Sequence, residues 1–261
     1  KDTSLFTSET LPHNFTIEKD NVVFVHFQGN NSIANRSGDQ TDTLIVGLKD
    51  ENNTYLGSGI NVTLWISYLG DPYYVYDNGH FLQTDDNGNV TYNFNPNCSS
   101  PEYEANLQKW KLQVNESEQC YKNDQSEIYY LTVKGDLNAT ILSPTEGNTY
   151  NWGTSIFHQA KVQDDCGNSI QGVTPVFNLT TNKTSYNFTP DDIGSGFYQK
   201  WWDSSGKAEG WYNITFKANK TYYWNDSDNV TNAFYLKTIP LLKGADVNPR
   251  EDIWGTEYNF T

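Results

Sequence analysis

The sequence has no methionine, only three cysteines, seventeen Lys and Arg against 32 Asp and Glu, and no run of eighteen apolar residues. Each shortage excludes something. Without a long apolar run, no segment is expected to span a bilayer, so direct membrane insertion of this stretch is not expected. A formal charge of −15 repels polyanions. Neither nucleic acid nor an anionic membrane is therefore an expected partner, and cations are the natural counter-species. The missing methionine puts any initiator residue, signal peptide or anchor outside this stretch, which is expected to be a mature or excised piece. Cys98, Cys120 and Cys166 show none of the paired short spacings of a zinc site or a redox pair. A structural disulfide is expected instead, with Cys98 and Cys120 as partners. They lie 22 residues apart in one expected domain, and closing that loop contributes about 3 kcal/mol through the entropy of the unfolded chain. Cys166 is then left over, either buried and free or bonded to a partner outside the segment.

Catalytic signatures are missing too. There is no Gly-x-Ser-x-Gly elbow, phosphate loop or zinc-protease helix. His13, His26, His80 and His158 are scattered, with no second His or acid at ligand spacing on a shared strand face. The chain is therefore expected not to be an enzyme and to need no cofactor or metal. Ca²⁺ is the alternative, because the pairs Asp85-Asp86, Asp164-Asp165 and Asp191-Asp192 cluster the oxygens that ion takes. The competing reading of Asp85-Asp86-Asn87-Gly88 is an ordinary hairpin turn.

What the sequence has in abundance is the triplet Asn-x-Ser/Thr. Seventeen occur, beginning at Asn14, Asn30, Asn35, Asn52, Asn61, Asn89, Asn97, Asn115, Asn138, Asn178, Asn182, Asn187, Asn213, Asn219, Asn225, Asn229 and Asn259. The 31 Asn and 44 Ser plus Thr would yield about five in random order, so the excess is threefold. Such a triplet accepts an N-glycan only when it is exposed and the chain has crossed a membrane. This sets an extracellular, cell-surface location and covalent N-glycans as expectations. Asn61, Asn89, Asn178 and Asn213 fall in or beside expected strands and must then face solvent. Spread along the chain, the triplets are expected to leave no broad face bare for a substrate.

The apolar runs are short, rich in Val, Ile, Tyr, Phe, Trp and Thr, and divided by Asn/Asp/Gly clusters, the pattern of antiparallel strands. Strands are expected at Val22–Gln28, Thr43–Lys49, Asn61–Tyr68, Asn89–Phe94, Gln108–Asn115 and Ile128–Lys134. A second series follows at Thr154–Val162, Val173–Leu179, Gly196–Trp202, Trp211–Ala218 and Ala233–Thr238. Glu102–Trp110 is the only plausible short helix. The two series look like copies. Leu48-Lys49-Asp50 with Leu56 matches Val162-Gln163-Asp164 with Ile170, and Asp85–Tyr92 matches Asp191–Tyr198. Trp110 matches Trp211, and Ile128–Leu131 matches Ala233–Leu236. The offsets are 114, 106, 101 and 105 residues, which points to tandem domains of roughly 100 residues. Pro249 with Trp254-Gly255-Thr256 echoes Pro144 with Trp152-Gly153-Thr154, as though a third copy began there or a strand were donated elsewhere.

The expected fold class is all-β: two tandem immunoglobulin-like β-sandwiches, residues 1–137 with an N-terminal extension and 138–240, and a tail, 241–261, that starts a further repeat or is exchanged. Trp110 and Trp211 are expected core residues of equivalent strands. Tyr73–Tyr76, Trp201-Trp202 and Tyr222–Trp224 hold more rings than one sheet face can bury, so each cluster should expose at least one. The Asp50-x5-Leu56 motif and its copy, the Tyr and Trp landmarks, the Trp-Gly-Thr opening and the triplet density together resemble the tandem immunoglobulin-like repeats of archaeal surface glycoproteins, of S-layer or filament type. The resemblance is good over 138–261 and loose over 18–137. It implies an extracellular, glycosylated, non-catalytic scaffold that assembles with its own copies or neighbouring repeats. The alternatives are an adhesin or carbohydrate-binding module, and accessory domains of a secreted hydrolase.

Overall fold

A computed structural model of the chain describes residues 18–38 and 41–238, and the backbone of Val247–Asn248 and Asn259–Phe260, which pair antiparallel. His13, Asn14, the side chain of Asn259 and the rest of the 241–261 tail lie outside the described residues. Two compact units divide between Lys134 and Gly135.

The first unit is made of β1 (Val22–Gln28), β2 (Ser32–Asn35), β3 (Asp42–Asp50), β4 (Asn61–Ile66), β5 (His80–Gln83), β6 (Asn89–Phe94), β7 (Leu107–Val114) and the opening residues of β8 (Tyr129–Ser143). One sheet runs β1–β3–β6, and the other β2–β8–β7–β4–β5 with β2 parallel to β8. β7 shows why these segments are strands. Leu107-Gln108-Lys109-Trp110-Lys111-Leu112-Gln113-Val114 alternates strictly, with Trp110, Leu112 and Val114 buried and the lysines outside. That period of two also corrects the expected helix at 102–110, since the described residues contain no helix. The core between the sheets gathers Leu44, Val46, Leu48, Val62, Leu64 and Trp110, among others.

The second unit continues β8 and adds β9 (Asn148–Asn151), β10 (Ser155–Asp164), β11 (Thr174–Thr180), β12 (Ser185–Phe188), β13 (Asp191–Asp192), β14 (Phe197–Asp203), β15 (Gly210–Asn219), β16 (Tyr223–Trp224) and β17 (Asp226–Lys237). Its first sheet runs β8–β10–β14–β13. Its second runs β9–β17–β15–β11–β12, with β9 parallel to β17. In chain-order letters the first sheet is A-B-E-D and the second A′-G-F-C-C′, the immunoglobulin-like arrangement. The first unit repeats it without strand D. Both units are thus immunoglobulin-like β-sandwiches.

The two copies share one turn, bond for bond. The Leu48 N–H donates to Gly88 O and Leu56 N–H to Leu48 O. In the second unit Val162 N–H donates to Gly196 O and Ile170 N–H to Val162 O. Asp50 and Asp164 each cap their own turn, accepting the N–H of Thr54 and of Asn168. The offset of 114 residues therefore stands. Gly88 and Gly196 hold the same place, 108 apart, so the expected match at 106 was two residues out. An even slip leaves every side chain on its face.

An odd error does not. Tyr212, near the start of β15, is fully buried and its hydroxyl donates to Ala208 O at 2.6 Å; Gln108 of β7 is buried too, and its Nε2 donates to Glu104 O at 2.8 Å. Both bonds reach four residues back, as in a tyrosine corner. The true offset here is 104, and Trp211 corresponds to Leu107, not to Trp110. Trp211 is 46% exposed, set edge-to-face with Tyr235. Its expected core role is corrected, because the shift of three, like any odd shift along a strand, exchanges the faces.

The expected Cys98–Cys120 disulfide is also corrected. Cys120 is the free, exposed thiol, while Cys98 and Cys166 are disulfide-bonded. The Cys120 N–H donates to the Glu118 carboxylate and its carbonyl accepts from Asp20 N–H at 2.9 Å, which pins this turn beside the N-terminal strand. Separation along the chain sets the entropy of a loop, not which thiols meet.

Candidate functional site

In a strand, residues i and i+2 point to the same face and i+1 to the other. A triplet in a strand therefore presents its Asn and its Ser or Thr together, provided the middle residue faces the core. The middle residues of the strand triplets are Val62, Val90, Ala139, Leu179 and Ile214, all buried, and Phe188 and Val230, which pack against the core. Turn triplets instead carry polar middle residues such as Asn31, Asn53, Lys183 and Lys220. No described triplet Asn is buried: Asn35, Asn61, Asn89, Asn115 and Asn178 are half-buried, and the other ten are exposed.

The amide orientation is as regular. Asn30 Oδ1 accepts from Tyr130 N–H, Asn97 Oδ1 from Ser99 N–H and Asn213 Oδ1 from Asn232 N–H, at 2.8 to 2.9 Å. Asn61, Asn115 and Asn229 likewise accept through Oδ1, from Gln83, Thr63 and Thr215. A backbone N–H can bond only the oxygen of an amide, so the contacts of Asn30, Asn97 and Asn213 fix which atom points away. Nδ2, the atom that carries an N-glycan, has no protein hydrogen bond at Asn30, Asn97, Asn115, Asn213 and Asn229, whereas the Asn61 side chain also bonds the Glu118 carboxylate. Nδ2 does donate at Asn21, Asn106, Asn123 and Asn148, none of which begins a triplet. Asn89 and Asn178 bury Oδ1 without a partner.

The triplets interlock on the outer face of the second sheet of the second unit. Asn187, Asn178, Thr215 and Asn229 are successive cross-strand neighbours on β12, β11, β15 and β17, and Thr180 faces Asn213. Asn182 lies in the turn between β11 and β12, and Asn219 and Asn225 lie towards the other end. Trp211 and Tyr235 share a shallow hollow with Asn182 and Asn213. On the opposite sheet of this unit the described residues hold one triplet Asn, Asn138 on β8. The outer face of β10 and β14 carries no triplet, and Asn138 and its Thr140 lie on the adjoining strand β8, opposite Gln163 and Lys161. In the first unit, triplets occur on both sheets.

The carboxylate pairs do turn work. Asp85 Oδ1 accepts the N–H of Asn87 and Asn89, and Asp164 Oδ1 those of Cys166 and Asn168. Asp192 accepts from Gly172 and Gly194, and these backbone bonds hold its carboxyl below the ordinary range. Asp191 pairs with Lys200 at 3.0 Å. Of the histidines, His26 packs on Tyr129 and His158 lies within an aromatic core, ringed by Phe177, Phe188, Trp202 and Phe234.

One polar cluster escaped sequence reasoning. Buried Asp77 accepts from Tyr103 Oη at 2.9 Å, from Gly79 N–H at 3.0 Å and lies 3.0 Å from His80 Nε2, whose ring stacks on Tyr92. Burial alone would raise the Asp77 carboxyl, but these bonds outweigh it and hold it low; burial and Asp77 together push the Tyr103 hydroxyl up. The spacing Asp77-x-x-His80 was the available signal. The cluster staples the loop before β5 to the 97–106 segment.

No protein-family model matches the chain, and no curated protein sequence does. Solved structures similar in fold include the bacterial integrin-binding protein invasin, 16% identical over 80% of this chain and 38% of that one, with a TM-score of 0.37. Titin domains I67–I69 are 8% identical over 82% and 65%, at 0.44, and a tetra-tandem repeat of a large adhesion protein is 13% identical over 81% and 49%, at 0.39. The chain spans less than two thirds of each of these three. What makes the units immunoglobulin-like is their strand order, not these scores.

Proposed function

We propose that this chain is a non-catalytic, densely N-glycosylated structural segment of an extracellular surface, part of a coat or filament. The observation that carries this reading is the regular presentation of the triplets: exposed or half-exposed Asn, core-facing middle residues in strands, and, at Asn30, Asn97, Asn115, Asn213 and Asn229, Oδ1 rather than Nδ2 engaged by the protein. Chance triplets in a β protein would be expected to spend more of their Nδ2 atoms on local bonds, as the non-triplet Asn21, Asn106, Asn123 and Asn148 do. The sandwiches serve as rigid spacers, and the sugars form the outward, hydrated surface. Acidic net charge keeps copies soluble until specific contacts form.

Mass spectrometry of the native protein, intact and after enzymatic release of N-glycans, tests this. Most of the fifteen triplets within the described residues should carry sugar. Occupancy of fewer than about five would overturn the reading.

A further inference from the structure

The triplet-free surface of β10 and β14 in the second unit is not blank. Along β10 and β14 three consecutive outward cross-strand pairs form a ladder: Phe157 with Trp201, Gln159 with Gln199, and Lys161 with Phe197. Ile156, Ala160, Tyr198 and Trp202 between them are buried, which fixes the outward direction of the six. Trp201 is 65% exposed in mid-strand, its ring 5.0 Å from that of Phe157. The Gln159 and Gln199 amides bond each other at 3.3 Å, and Lys161 lies 5.7 Å from the Phe197 ring. Successive pairs are about 7 Å apart.

A flat ring next to planar amides is the chemistry that receives a pyranose, whose C–H face lies on the indole while its hydroxyls bond the amides. Size favours this over a protein face. Two strands about 4.8 Å apart and seven residues long cover roughly 230 Å², well short of the roughly 800 Å² per partner of a stable protein interface. Sugar is also what the other side of the same sandwich is proposed to carry, with seven triplets on or around its second sheet.

We infer that the Phe157–Trp201 face is a saccharide-binding platform whose occupant is an N-glycan on the second sheet of another copy of this chain. The contact is heterologous, one face meeting a different face, so it propagates from copy to copy instead of closing a dimer. This rests on the glycosylation reading above.

The test separates the two. Glycans released from the native protein are immobilised, and the enzymatically deglycosylated protein is passed over them beside its Trp201→Ala and Gln199→Ala variants, with unrelated neutral glycans in parallel. The deglycosylated parent should bind its own glycans, and Trp201→Ala should weaken binding at least tenfold at unchanged melting temperature. The glycosylated protein should sediment as concentration-dependent oligomers, and both Trp201→Ala and deglycosylation should abolish them. No binding to its own glycans, equal binding by Trp201→Ala, or binding of unrelated glycans only would overturn the inference. A protein that releases no glycan fails the earlier reading instead.

Discussion

At Trp211 one residue decides between core and surface. Its neighbour Tyr212 fills the position that Gln108 holds in the first unit, and the two make the same bond four residues back. Trp211→Ala should therefore cost less than about 1 kcal/mol, the loss of an edge-to-face ring contact. Trp110→Ala removes a fully buried indole and its bond to Gly29 O and should cost about 3–5 kcal/mol. Urea unfolding of both variants checks the contrast, and equal costs would restore the equivalence of the two tryptophans. His158 supplies a pH test. Burial drives its pKa down to about 4, and its Nδ1–H donates to Ile156 O while buried Nε2 has no partner. The unfolded chain takes up this proton near pH 6.5 but the folded chain only near 4, so acidification favours unfolding. Stability should fall by about 3 kcal/mol between those limits, and His158→Phe should flatten that part of the profile. An unchanged slope in the variant would mean that other groups carry it.

At the level of elements, the turn joining strands B, C and E is the clearest mark of common construction. Gly88 and Gly196 both have positive φ, 74° and 75°, and a Cβ at either would collide with a backbone carbonyl, Leu56 O or Val162 O. Gly206 has a similar φ of 69° but open space around it. Gly196→Ala should then cost more than about 2 kcal/mol and Gly206→Ala about 1 kcal/mol, since only the first adds a collision to the left-handed penalty. Thermal melts of the two variants measure the difference, and similar losses would show that the turn yields. Long strands were legible in advance: β1 and β6 coincide with their expected bounds, because alternation over six or seven residues is a strong signal. Short edge strands such as β5, β9, β12 and β13 were not, because two to four residues carry no period and are held mainly by their neighbours. The middle residue of each triplet was legible too, since an apolar one in a strand turns its Asn outward.

For the whole molecule, the free thiol is a simple check on connectivity. Alkylation of the unreduced protein should label Cys120 alone, and a label on Cys98 or Cys166 would refute the assignment. The all-β class, the tandem repeat and the abundance of Asn-x-Ser/Thr triplets are legible along the chain, because composition, two-residue periodicity and local turn chemistry are written there. Folding in three dimensions settles which cysteine stays free, which tryptophan is core, that Asp77 meets His80, Tyr92 and Tyr103, and that β10 and β14 of the second unit present rings and no triplet outward. Those are facts about residues far apart in sequence, or about a register in which a one-residue shift exchanges inside for outside. They are settled only when sheets pair and pack.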